Sequence, residues 1–171
     1  MMPRRGKGHI NRLGAGIRGL VLALFIQASP GDAQDLGPEE QRALSVTHAA
    51  LQAISDEDVI ALTDLMVDDA IMFALPADGG SPNVTTRDQR RARPMTGDFV
   101  ERGFDGEVSL TGGLASVWLP YDFYRDGEWS HCGVDTFTLV RVDGEWLVAS
   151  LAYTIEQPPQ CEPHPDGPPG G

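Results

Sequence analysis

Val117-Trp-Leu-Pro-Tyr-Asp-Phe-Tyr-Arg-Asp-Gly-Glu-Trp-Ser-His-Cys-Gly-Val-Asp-Thr-Phe-Thr-Leu-Val-Arg141, continued by Asp143-Gly-Glu-Trp-Leu-Val-Ala-Ser150, reads with a period of two and is interrupted at Asp126-Gly127 and Asp143-Gly144. That period belongs to strands, and Asp-Gly between two such runs marks a two-residue hairpin turn. A third turn signal, Gly112-Gly113, lies upstream. Together the three turns define four antiparallel strands, at about residues 104–111, 114–125, 128–142 and 145–155.

Upstream the period changes. Residues 38–54 carry Leu44, His48, Leu51 and Ile54 at helical spacing, with Glu39 and Glu40 in the first turn, where the helix dipole favours negative charge. Ser55-Asp56-Glu57-Asp58 has the form of a capping box, and Val59, Leu62 and Met66 give a second, shorter helix that stops near Asp68-Asp69. Residues 70–75 form a brief apolar run closed by Pro76, which predicts a strand. Residues 76–103 are polar and broken by Pro82, Pro94 and Gly97, so they read as a long loop with one short helix at about 98–102. Beyond Ile155 the chain is rich in proline, and residues 158–171 are expected to be an extended, mobile tail with a solvated His164. Helices followed by a meander of long strands describe an α+β domain with the N-terminal helices packed on one face of a curved antiparallel sheet.

Composition narrows the function. The 171 residues hold 25 acidic and 13 basic side chains, a formal charge of −12. Arg4, Arg5, Lys7, Arg12 and Arg18 precede the apolar run of residues 19–28, and Ser-Pro-Gly-Asp-Ala33 follows it, so residues 1–33 read as a secretory signal peptide, cleaved after Ala28 or Ala33. Removing residues 1–33 takes away those five basic groups and Asp32, leaving 8 basic against 24 acidic and a charge of −16. Such a surface repels phosphate backbones and anionic lipids, which argues against nucleic-acid partners and against membrane attachment after cleavage. Arg87, Arg90, Arg91 and Arg93 are a local exception, open to two readings: a solvated loop offsetting nearby acids, or the rim of an anion site.

Two-residue turns imply a register. Around Asp126-Gly127, Tyr124 is expected opposite Trp129, Asp122 opposite His131, Pro120 opposite Gly133 and Trp118 opposite Asp135. Around Asp143-Gly144, Phe137 faces Ser150, Leu139 faces Val148 and Arg141 faces Trp146; around Gly112-Gly113, Glu107 faces Trp118. One sheet face then mixes aromatics with ionisable groups: Glu107, Trp118, Asp122, Tyr124, Trp129, His131, Asp135, Phe137 and Trp146. The other, with Val117, Leu119, Tyr121, Phe123, Cys132, Val134, Leu151 and Tyr153, is more uniformly apolar and by composition suits a helix-packed core.

The quoted stretch, above all His131-Cys132-Gly133 and Gly144-Glu-Trp146, resembles secreted members of the nuclear transport factor 2-like superfamily, near its SnoaL-like and lumazine-binding-like groups, over about residues 38–161. The resemblance implies a cone-shaped, cystatin-like roll whose mixed face looks inward. It also implies a third helix, for which residues 76–103 show no clear sequence signal. Under it, residues 34–157 form the domain, and Trp118, Asp135, Phe137, Trp146 and His48 are candidate ligand-binding groups in a small-molecule pocket.

Asp122 beside His131 would raise the basicity of the imidazole and fix its tautomer, as a general base requires, so His131 and Asp122 are the candidate catalytic pair; an ordinary cross-strand ion pair is the alternative. His48 equally fits a partly buried core histidine. No repeated ligand spacing accompanies His131, and neither a glycine-rich phosphate loop nor a nucleophile elbow occurs, so no metal or cofactor is expected. Cys132 is expected opposite Ile155, and Cys161 lies six residues further on, within reach of a tail that folds back, so a Cys132–Cys161 disulfide is expected in an oxidising compartment. The sequence thus points to an exported, periplasmic or extracellular protein that binds a small, largely apolar molecule. If it is an enzyme, the resemblance implies cofactor-free isomerase, cyclase, dehydratase or hydrolase chemistry. The rival is a non-catalytic homodimer or accessory module that uses the sheet face for interaction.

Overall fold

The computed structural model describes residues 35–170; the expected signal peptide lies outside the described residues. Helices α1 (Pro38–Ser55) and α2 (Val59–Asp64) lead into strand β1 (Met66–Pro76). There follow β2 (Asn83–Thr86), α3 (Arg87–Arg91), β3 (Phe99–Gly103), β4 (Glu107–Thr111), β5 (Leu114–Arg125), β6 (Glu128–Val142) and β7 (Glu145–Ile155). The strands form one seven-stranded sheet in the order β2-β1-β7-β6-β5-β3, with β4 also paired to β5. β1 runs parallel to β7, so the sheet is mixed rather than wholly antiparallel.

The hairpins follow their turn chemistry. Asp126 and Gly127 take φ of 54° and 76°, and Asp143 and Gly144 take 52° and 93°, the left-handed pair that matches the twist of the flanking strands. Helical starts differ from the expected pattern. α2 is capped by Asp58, whose side chain accepts from the Ala61 N–H at 2.8 Å, and the capping box falls instead at Thr86 and Gln89, where it starts α3. Residues 76–103 therefore hold a strand, a short third helix and a second strand, and the helix expected at 98–102 is β3.

The larger correction concerns register. Tyr124 pairs with Trp129, but the next partners are Phe123 and His131, so Ser130 is an extra residue in β6 and every pair beyond it shifts by one. Asp122 faces Cys132 and Trp118 faces Thr136. A second bulge places Leu139 opposite Val148 but Thr138 opposite Ser150, leaving Ala149 extra in β7. Because side chains alternate between faces, one inserted residue exchanges the two sets. The inner face combines Val117, Leu119 and Tyr121 of β5 with Asp135, Phe137 and Leu139 of β6, all at most 1% exposed. It thus takes half of each expected face. α1 covers it with Ala43, Thr47, Ala50, Leu51 and Ala53.

Residues 156–167 return over the outer face. Cys132 and Glu156 form an antiparallel bridge, Cys132 and Cys161 form a disulfide with Cα atoms 5.8 Å apart, and the His164 N–H donates to Asp122 Oδ2 at 3.0 Å. The His164 ring also meets Phe104 edge-on at 5.2 Å, so this histidine is seated, not solvated, and the segment read as a mobile tail is tethered at several points. No helix among the described residues is long and apolar enough to cross a membrane.

Candidate functional site

A cavity of about 400 Å³ opens between the inner face, the end of α1 and the segment after α3. That is the size of a small-molecule site. β5 and β6 contribute Tyr121, Phe123, His131 and Asp135; β3 contributes Phe99 and Glu101; β7 contributes Leu151, Tyr153 and Ile155. Ile54, Leu62, Met72 and Met95 extend the apolar wall, and Arg90 reaches it from α3.

Two carboxyls share this space. Ser55, at the end of α1, fixes the backbone of Glu101: its Oγ accepts from the Glu101 N–H at 2.9 Å. Asp135 is 1% exposed, and its Oδ2 has no hydrogen-bond partner. Burial raises Glu101 well above the ordinary carboxyl range, and the neighbouring Asp135 charge raises it further. Burial likewise raises Asp135. Two desolvated carboxyls that oppose each other's ionisation favour a state in which they share a proton.

The groups around the pair are phenols and an imidazole. Burial raises the Tyr121 hydroxyl, which donates to the Thr154 carbonyl at 2.7 Å. That reach requires Gly133, because a Cβ there would strike Thr154 O. Burial, with the Glu101 and Asp135 charges behind it, raises Tyr153. His131 is lowered by burial and so is neutral at pH 7; it stacks on Phe123 with centroids 4.8 Å apart and shares a hydrogen bond with Ser130 Oγ through Nδ1 at 3.0 Å.

Of the expected site residues, His131 and Asp135 line the cavity. Phe137 is fully buried in the core, and Trp146 is a core residue whose Nε1 donates to Glu39 Oε2 at 3.3 Å. Trp118 lies on the outer face, 51% exposed, and His48 lies on the exposed side of α1, off its buried stripe. Asp122 does not meet His131. It is fully buried on the outer face, held by Arg102 through Nε–Oδ1 at 3.0 Å and Nη2–Oδ2 at 2.6 Å. The bulge at Ser130 separates the two residues of the expected pair. Sequence reasoning missed Glu101, which sits in the segment read as a loop with a short helix, named Arg90 only as one of four arginines in a solvated loop or an anion-site rim, and placed Tyr121 and Phe123 on the wrong face. Phe99-Val100, two residues that favour strands, were the only local signal for β3, which pairs with Tyr121–Arg125 of β5. Among the described residues, no group of three or more His, Cys, Asp or Glu side chains is disposed to hold a metal ion.

No family profile and no curated protein matches the sequence. Solved structures do. A protein of unknown function with a cystatin-like fold from Nostoc punctiforme is 8% identical, with a TM-score of 0.57 over 73% of this chain and 98% of that one. A nuclear transport factor 2-like protein with a cystatin-like fold from Novosphingobium aromaticivorans is 16% identical, with a TM-score of 0.56 over 68% of this chain and 80% of its own. A ketosteroid isomerase-like protein from Erwinia carotovora atroseptica is 17% identical, with a TM-score of 0.55 over 72% of this chain and all of its own. Identities this low establish the fold alone: the chain has the nuclear transport factor 2-like, cystatin-like fold.

Proposed function

We propose that the protein binds a small, largely apolar molecule in this cavity and that the Glu101 and Asp135 carboxyls act on it as an acid–base pair. The observation that carries the reading is the buried, unpartnered Oδ2 of Asp135 beside Glu101 in a largely apolar cavity. A buried polar atom without a partner costs about 1–3 kcal/mol, and a ligand oxygen hydrogen-bonded to the protonated group would remove that cost. With one proton on the pair, the protonated carboxyl donates to a ligand carbonyl while its ionised neighbour takes a proton from the adjacent carbon. Returning that proton to another carbon completes an isomerisation without any co-reactant. The fold shared with a ketosteroid isomerase-like protein is compatible with such chemistry, but the support comes from this chain's own side chains. His131, neutral and without its expected carboxylate partner, is assigned a hydrogen-bonding place in the wall.

Export is part of this reading, supported by the disulfide, a bond that persists in oxidising compartments.

The test is a panel of small cyclic ketones in D₂O, read by NMR for binding and for deuterium entering beside the carbonyl. Wild-type protein should bind at least one and catalyse exchange, and Asp135→Asn and Glu101→Gln should keep binding but slow exchange by about 10²–10⁴-fold. Binding without exchange would leave a carrier; no binding by any apolar probe would overturn the pocket reading. The dimeric alternative has its own observation in Trp118, Leu114 and Val142, exposed by 51%, 53% and 42% on the outer face. Sedimentation equilibrium of wild type against Trp118→Arg distinguishes it.

A further inference from the structure

The four arginines of residues 87–93 do not behave as one patch. Arg87 donates to the Thr63 carbonyl and pairs with Asp68 at 2.8 Å. Arg91 donates to Thr63 Oγ1 and pairs with Asp64 at 2.6 Å. Arg93 is exposed. Arg90 alone of the four enters the cavity wall. Its Nη2 donates to the Arg93 carbonyl at 2.9 Å, which fixes the guanidinium, while its Nε is buried without a hydrogen-bond partner. Among the described residues, no carboxylate lies within ion-pairing distance of it, and Tyr153 is the titratable neighbour whose ionised form would favour its charge.

The cavity wall therefore carries two kinds of ionisable group beside its phenols and imidazole. Glu101 and Asp135 form one; Arg90 forms the other, with Tyr153 within electrostatic reach of both. Much of the remaining wall is apolar, with Leu62, Met72, Phe99 and Leu151 among its residues. A guanidinium keeps its charge at any accessible pH, so Arg90, partly buried at the cavity wall, is a cation whose Nε donor is shielded from water and unused. No carboxylate of the pair forms an ion pair with Arg90, so the charge the pair carries does not supply the missing partner.

Resting on the pocket reading above, we infer that Arg90 is an anion anchor and that the ligand is an amphiphilic acid: an apolar body with a carboxylate, or a group of like charge, at the Arg90 end. The paired arginines beside it hold α3 in place, and Arg90 selects the ligand. A neutral amide of the same shape can accept from Arg90 Nε but leaves the guanidinium charge uncompensated, whereas a carboxylate makes the stronger, charge-assisted bond.

The probes are 2-naphthoate and its neutral counterpart 2-naphthamide, titrated by calorimetry at pH 7 into the protein as recovered from a periplasmic host. Wild type should bind the carboxylate at least about tenfold more tightly than the amide. Arg90→Gln should abolish that preference while leaving amide affinity within about twofold, and Arg90→Lys should retain part of it. Arg93→Gln, which removes an equal charge outside the cavity, should change neither. Equal affinity for the two probes in wild type, or a preference that survives Arg90→Gln, would overturn the anchor while leaving the pocket intact. Failure of both probes, with every apolar competitor also failing, would instead overturn the pocket reading. Circular dichroism of each variant shows that a lost preference is not lost folding.

Discussion

Asp135 and Asp122 are two buried carboxylates thirteen positions apart in sequence and on opposite faces of the sheet, and their surroundings give them opposite behaviour. Asp122 has a bidentate guanidinium and a backbone donor; Asp135 has an unpartnered oxygen and an acidic neighbour. Unfolded carboxyls titrate near about pH 4, whereas burial raises both Asp135 and Glu101 in the folded protein. Above about pH 4 the unfolded chain has released these protons and the folded chain still holds them, so stability falls as pH rises, by up to about 1.4 kcal/mol per pH unit per proton. The contribution is fully present below the unfolded value and gone above the raised folded one. Urea midpoints across that window should show the decline in wild type and a flatter profile in the Glu101→Gln, Asp135→Asn double variant; identical profiles would refute proton retention by the pair. Asp122→Ala should behave differently. Leaving Arg102 without its partner on the outer face should cost about 2–4 kcal/mol in urea unfolding while probe affinity in the cavity stays unchanged. A loss of binding at full stability would return Asp122 to the site.

At the scale of elements, hairpin turns and strand limits were legible because Asp-Gly and Gly-Gly act locally: β5, β6 and β7 span the residues that the turns imply. Register was not, because a bulge is settled by packing between strands rather than by the turn. Ser130 and Ala149 have no local signature that marks them as extra, yet each reverses which side chains face inward. The tether over the outer face also belongs to this scale. Its disulfide closes a segment of 29 residues, worth about 3–4 kcal/mol on a chain-entropy estimate. Cys161→Ser should lower stability by that order and speed proteolysis after residue 156, both readable by urea unfolding and timed protease digestion. Quantitative thiol labelling of the native, unreduced wild type would contradict the bond.

For the whole molecule, the charge of −12 acts against compactness through self-repulsion, and added salt screens it. Raising NaCl from about 20 mM to about 300 mM should therefore increase the urea midpoint, since few of the surface ion pairs contribute enough to be missed. A midpoint that falls would mean that pairs such as Arg87–Asp68 and Arg91–Asp64 outweigh the repulsion. By itself the sequence determined the α+β class, the four-stranded meander, the first helix and the cysteine pairing, all of which follow from periodicity, turn chemistry or short reach along the chain. Only the tertiary structure decided the parallel joining of β1 to β7, the inward face, the separation of Asp122 from His131 and the meeting of Glu101 with Asp135. Those depend on which residue each strand inserts and on contacts between segments tens of residues apart, where a displacement of one position moves a side chain from the cavity to the opposite surface.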